Sequence, residues 1–287
     1  METSLQNLKK KILKIKKKRP GYKEILEFYF NLKKEQEKIK PSLKIESIKI
    51  EKEFKDLLSK EGFPLLEKKD FSIDSESSMT LFNSFLKIGK KANPHMSKEV
   101  EKIKEAIKTK KVDIKKLFLE NPNEKKIEDI VSGLGLDKKI FLFLFKESLR
   151  PSIEEGVRKF SEKVTLETGL KNFCPICGSK PYMAFLKEEV GKRYLLCSYC
   201  GYEWRFDRLA CPFCENREQA SLKYFFEEGE EAYRIDICEK CKQYIKTIDL
   251  RKIQLIDPIF EDISTIHLDL LALNKGYNRP TSNPWMP

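Results

Sequence analysis

Over the first half of the chain, apolar residues recur at intervals of three and four, the spacing that lines one face of a helix. Leu5, Leu8, Ile12 and Leu13 predict an amphipathic helix within residues 1–19, stopped by Pro20. Ile25, Leu26, Tyr29 and Leu32 predict a second helix over Tyr22–Lys40, ending near Pro41. Glu51–Glu61 reads as another helix, and residues 63–73 as a connector. Asp74 is placed to cap a helix over Ser75–Lys91, with Met79, Phe82, Phe85 and Leu86 on one face. Ser97 is expected to cap the helix carrying Val100, Ile103 and Ile107, and Asp113 and Asn123 to cap two short ones. Asp137 should start the most apolar helix, Lys138–Leu149, buried on most sides. Pro151 fits the first turn of a further helix reaching about Lys163.

Beyond residue 171 the pattern changes. Strand-like runs appear at Tyr182–Leu186, Arg193–Leu196, Glu203–Leu209, Leu222–Phe226, Arg234–Ile237 and Tyr244–Leu250. Asp257 and Pro258 then open a helix that runs through Leu271 and Leu273 to a stop at Gly276. The tail Tyr277–Pro287, with Trp285, is read as either loose or docked.

All eight cysteines lie within the strand-rich part, as four C-x-x-C pairs: Cys174/Cys177, Cys197/Cys200, Cys211/Cys214 and Cys238/Cys241. A C-x-x-C step lets two thiolates converge on one ion, and two such knuckles complete a tetrahedron. A disulfide framework would need an oxidising compartment and closes only tiny loops at this spacing. An internal repeat suggests the pairing. Each half opens Cys-Pro-x-Cys, continues with an apolar stretch and a Glu-Glu, Gly-containing turn, and enters its second knuckle four residues after an arginine, Arg193 or Arg234. The expected sites are therefore Cys174, Cys177, Cys197 and Cys200, and Cys211, Cys214, Cys238 and Cys241. A hairpin between two knuckles is the layout of a zinc ribbon or a rubredoxin. Four thiolates accept either ion, with zinc preferred and iron the alternative. Trp204 and Tyr244, just after their knuckles, are expected to cover the sites.

The fold class expected is α+β: an all-helical N-terminal domain (1–170), two tandem rubredoxin-like or zinc-ribbon modules (171–207 and 208–252), and a C-terminal helix with its tail (253–287).

The net charge of +12 invites a nucleic-acid reading, but its distribution does not support one. Residues 171–287 hold 17 basic and 17 acidic side chains, and the excess, 40 against 28, lies in residues 1–170. A ribbon that grips phosphates should be basic. The basic face of the first helix is either solvated or meets an acidic surface. The longest apolar run, Ile140–Phe145, is far short of a membrane span. With two histidines, His95 in a loop and His267 packed in the last helix, acid–base catalysis is hard to assemble.

Four features resemble the FdhE family of formate dehydrogenase accessory proteins. They are Leu149-Arg150-Pro151; the run from Cys174 to Pro181; Arg193 to Cys200 followed by Glu203-Trp204; and Cys211 to Cys214 with Cys238 to Lys246 and Asn283-Pro284. The resemblance implies a cytoplasmic, non-enzymatic, metal-stabilised chaperone for enzyme maturation. Its partner would be the catalytic subunit of formate dehydrogenase, and its metal ligands the eight cysteines. A rubredoxin-like iron redox protein and a nucleic-acid-binding zinc ribbon are the alternatives. Glu215 and Lys242 stand where a ribbon often has glycine, so the backbone there must avoid or tolerate positive φ.

Overall fold

The computed structural model describes residues 4–51, 53, 58, 60–122, 124–162, 171–254, 257–281 and 283. Most of the helix expected over Glu51–Glu61, the cap at Asn123, the helix end at Lys163, the domain boundary at 170/171, and Pro284 and Trp285 lie outside the described residues. The chain divides into two compact units. One comprises Met1–Lys49 with Glu67–Lys163, the other Ile50–Leu66 with Val164–Pro287.

The first unit is helical, with α1 (Ser4–Lys18), α2 (Lys23–Ile39), α3 (Ser75–Gly89), α4 (Pro94–Lys108), α5 (Ile114–Glu120), α6 (Glu124–Gly133) and α7 (Lys138–Ser161). Leu8 and Ile12 bury the inner face of α1, while Leu13 is exposed. Three expected caps form: Asp74 accepts from Ser77 N, Asp113 from Lys116 N and Asp137 from Ile140 N. The cap of α4 is not Ser97. Asn93 accepts from Met96 N at 2.8 Å, and Pro94 occupies the first turn, where its missing N–H costs nothing. His95 therefore sits in the first turn of a helix rather than in a loop, with its side chain 69% exposed. Phe118 stacks on Phe145 at 4.8 Å and meets Phe82 edge-on at 6.0 Å, at the centre of the core.

Pro151 does not begin a helix. α7 runs unbroken through it for 24 residues. A proline inside a helix leaves the carbonyl four residues earlier without a donor. That carbonyl belongs to Glu147, and Gln36 Nε2 donates to it at 2.9 Å. The buried amide of α2 replaces the missing helical bond.

The second unit carries β1 (Pro181–Lys187), β2 (Lys192–Cys197), β3 (Glu203–Phe206), β4 (Leu222–Phe225), β5 (Tyr233–Cys238) and β6 (Gln243–Asp249). They form one six-stranded sheet in the order β3-β2-β1-β6-β5-β4. Each half of the cysteine region is an antiparallel three-stranded ribbon. The halves join where β1 runs parallel to β6, with Met183 opposite Lys246 and Leu186 opposite Asp249. The last helix divides in two, α8 (Pro258–Ser264) and α9 (Ile266–Asn274), breaking at Thr265. Asp257 caps α8 through Phe260 N, and Gly276, at φ +83°, ends α9. The described part of the tail is docked: Tyr244 N donates to Asn278 O at 3.0 Å, and Asn278 N to Lys242 O at 2.8 Å.

Candidate metal centres

The backbone at each cysteine pair follows one recipe. In the first knuckle Cys174 N donates to Ser179 O (2.9 Å) and Gly178 N to Cys174 O (2.8 Å). In the third, Cys211 N donates to Asn216 O (2.8 Å) and Glu215 N to Cys211 O (3.0 Å). To close this turn, the residue after each second cysteine adopts the left-handed conformation. Gly178 and Gly201 do so at φ 71° and 70°, Glu215 and Lys242 at 58° and 54°. The two non-glycine residues thus tolerate positive φ rather than avoid it. Gly178 has a second constraint, since an added Cβ would lie 2.8 Å from Pro64 Cγ. Pro64 is held there because Leu65 N and Leu66 N donate to Pro175 O and Ile176 O, at 3.0 and 2.8 Å.

These turns bring the cysteines together as two groups of four. Cys174 lies 3.6 Å from Cys200 and Cys177 3.4 Å from Cys197, sulfur to sulfur. Cys211–Cys241 and Cys214–Cys238 are both 3.7 Å. Within each group all four sulfurs lie within 4.8 Å of one another. A disulfide needs about 2.05 Å. A tetrahedron of zinc–sulfur bonds of about 2.3 Å separates its sulfurs by about 3.8 Å, so both groups have the donor type and spacing that could hold a metal ion.

Burial pushes the thiols of Cys174 and Cys200 well above their ordinary range, while hydrogen bonds from Cys174, Cys197 and Cys200 hold Cys177 far below it. In the second group burial raises Cys211, and raises Cys241 to about 11. Burial opposes ionisation of Cys238 too, but the backbone N–H groups of Cys241 and Lys240 prevail and lower it. Each group thus mixes a favoured thiolate with thiols whose ionisation burial opposes, so that a bound cation would have to displace their protons. The groups differ in access. All four cysteines of the first are buried, whereas in the second Cys214 is exposed and Cys241 half-buried.

Trp204 is buried, and its Nε1 donates to Lys171 O at 2.8 Å. Tyr244 packs with Ile235, Ile237, Leu268 and Ala272. Its hydroxyl donates to Asp269 at 2.7 Å, within a group the sequence did not disclose. Lys246 Nζ lies 2.6 Å from both Asp262 and Asp269, and Arg279 Nη1 lies 2.9 and 3.3 Å from the same two carboxylates. All four are buried. The sequence signal for this group is a lysine in mid-strand, in the run Tyr244-Ile245-Lys246-Thr247-Ile248. His267 is partly buried, as expected, with its Nε2 2.9 Å from Glu227 and 3.0 Å from Glu230.

Among the described residues no helix is long and apolar enough to cross a membrane. Family models match in two consecutive stretches: "FdhE, central domain" over residues 173–208 and "FdhE, C-terminal domain" over 209–286. A "Protein FdhE homolog" of Aquifex aeolicus is 30% identical over 275 residues, which cover 94% of this chain and 90% of that protein. One from Shewanella oneidensis is 34% identical over 116 residues, 40% of this chain and 38% of that one. Among solved structures, the crystal structure of the FdhE protein from Pseudomonas aeruginosa aligns with a TM-score of 0.69 at 20% identity. The alignment covers 99% of this chain and 97% of that one, so the α+β fold is shared.

Proposed function

The chain belongs to the FdhE family, and from that premise we propose that it is a cytoplasmic accessory protein in the maturation of formate dehydrogenase, binding the enzyme's catalytic subunit without catalysing a reaction itself. The observation that carries the proposal is similarity along nearly the whole chain to an FdhE homologue, at 30% identity. The ribbon unit suits such a role, because metal cages and a buried ion network hold a surface rigid without turning over a substrate. Cys174, Cys177, Cys197 and Cys200 bind one ion in this proposal, and Cys211, Cys214, Cys238 and Cys241 a second. Zinc is the preferred ion. The test is co-purification with the formate dehydrogenase catalytic subunit, together with formate dehydrogenase activity in a strain lacking this protein. No association and unchanged activity would reject the role. Substituting Cys174→Ser should lower the metal content from two ions per chain to one, and Cys211→Ser should do the same at the other site. Full metal content in either variant would refute the ligand assignment.

The exposure of Cys214 favours one further reading, single-electron transfer by iron at the second centre, since an exposed ligand sulfur gives an electron a short entry path. Anaerobic preparation, metal analysis and a visible spectrum separate the two. A colourless protein with two zinc ions would reject electron transfer.

A further inference from the structure

The internal repeat places an arginine four residues before the second knuckle of each ribbon, Arg193 on β2 and Arg234 on β5. Neither is a candidate metal ligand, yet the two line one cleft of about 310 Å³ within the ribbon unit. The cleft also holds Arg208, Lys223 and a single carboxylate, Asp236.

Arg193 is 4% exposed and rigidly held. Its guanidinium lies over the Phe206 ring at 5.2 Å, and Nη2 donates to the carbonyls of Asp207 and Ala210. Two of its other nitrogens are not satisfied. Nε is buried with no hydrogen-bond partner among the described residues, and Nη1 reaches Asp236 only at 4.0 Å. Asp236 is already committed, with Oδ1 2.9 Å from Arg234 Nε and Oδ2 accepting from Thr247 Oγ1 at 2.7 Å. Burial holds the Arg193 guanidinium below its ordinary range; Asp236 opposes this, and the neighbouring Arg234 adds to it. An arginine does not escape by losing its proton. Four basic side chains thus share a lining with one carboxylate; of these, Lys223 also reaches Glu239 at 3.4 Å and Arg208 donates to Val190 O at 3.2 Å. Leu209, Phe213 and Tyr224 give the cleft an apolar and aromatic side, with Gln219 and Gln243 also in its lining; Tyr224 carries Arg234 stacked over its ring at 4.6 Å.

We propose that this cleft is an oxyanion-binding site, in which Nη1 of Arg193, together with Arg234 and Lys223, grips a carboxylate or phosphate while Phe213 and Tyr224 pack the apolar body that bears it. The proposal does not depend on the formate dehydrogenase role. The oxyanion has two possible sources, a small molecule or an acidic side chain of a protein. Titration calorimetry of the metal-loaded full chain at low ionic strength, with inorganic phosphate, phenyl phosphate and an acetylated tetraglutamate peptide, distinguishes them. At least one probe should bind with one-to-one stoichiometry. Tightest binding by phenyl phosphate identifies a small aromatic anion, and tightest binding by the peptide an acidic segment; either supports the site. Arg234→Gln and Lys223→Gln should each weaken the bound probe about tenfold, as loss of a charge-assisted contact does. Lys126→Gln, on the helical unit, should leave it unchanged. Metal content and far-UV circular dichroism verify that each variant folds. Failure of all three probes to saturate by about 10 mM overturns the proposal. So does binding that survives both cleft substitutions or falls equally with Lys126→Gln.

Discussion

Asp269 is the hinge of the buried charge network, and Asp269→Asn tests how that network holds the ribbon unit. The native group is balanced: Lys246 and Arg279 face Asp262 and Asp269, and Asp269 also accepts from Tyr244. The amide keeps the shape and removes one charge, leaving two buried cations to share Asp262. Breaking a buried ion group by removing one partner costs about 3–5 kcal/mol, because the orphaned charge stays desolvated. With a urea dependence of about 2 kcal/mol per molar, the unfolding midpoint should fall by about 1.5–2.5 M. Trp204, buried on β3, reports the transition by fluorescence. A second variant separates charge imbalance from lost contacts. Lys246→Met combined with Asp269→Leu removes one charge of each sign and leaves Arg279 paired with Asp262 at 2.9 Å. It should be more stable than Asp269→Asn by at least about 1 kcal/mol, although Tyr244 loses its acceptor. A shift below about 1 kcal/mol for the single variant, or a double variant that is the weaker of the two, would refute the reasoning.

Three further outcomes follow from the geometry. Burial opposes ionisation of Asp262, but Arg279 and Lys246 hold its carboxyl below the ordinary 3.8, so its stabilisation is complete above that pH and drains away as pH falls below it. Acid unfolding followed at Trp204 should accordingly begin below about pH 4 and start at higher pH in a protein with Asp262→Asn. Glu215→Gly relieves a left-handed non-glycine residue and should raise stability by about 0.5–1 kcal/mol in urea unfolding, whereas Gly178→Ala at the equivalent place meets Pro64 and should lower it; the same sign for both would refute the account. A chelator should strip the metal-loaded protein in two phases, the faster from the centre containing exposed Cys214, so Cys211→Ser should abolish the fast phase and Cys174→Ser the slow one.

What could be read in the sequence was mostly what is local. The caps at Asp74, Asp113, Asp137 and Asp257 were legible because cap and recipient lie three residues apart. The grouping of the cysteines into two fours was legible because the repeat carries its own register. Ser97 misled because Asn93 and Pro94 offer the same start signal one turn earlier. Pro151 misled for a non-local reason: the amide that satisfies Glu147 O comes from Gln36, 111 residues away. The network around Lys246 was hidden in the same way, since its carboxylates arrive 16 and 23 residues later, on α8 and α9. The convergence of Arg193 and Arg234 followed from a repeat that was visible, but only the docking of one ribbon on the other turns two equivalent positions into one cleft.

The ribbons share a sheet through the parallel seam of β1 and β6, and this gives metal occupancy a second meaning. If the first ribbon melts, it bares β6 along Lys246, Thr247, Ile248 and Asp249, whose two charges discourage a foreign strand. If the second ribbon melts, it bares β1 along Met183, Ala184, Phe185 and Leu186, four consecutive buried apolar residues whose only guards, Pro181 and Lys187, stand at the strand's ends. The ribbon with the solvent-accessible centre is thus the one whose loss uncovers an adhesive edge. An ion held in that centre would protect the chain from clumping with its own copies, and solubility under metal starvation should then be governed by Cys211, Cys214, Cys238 and Cys241.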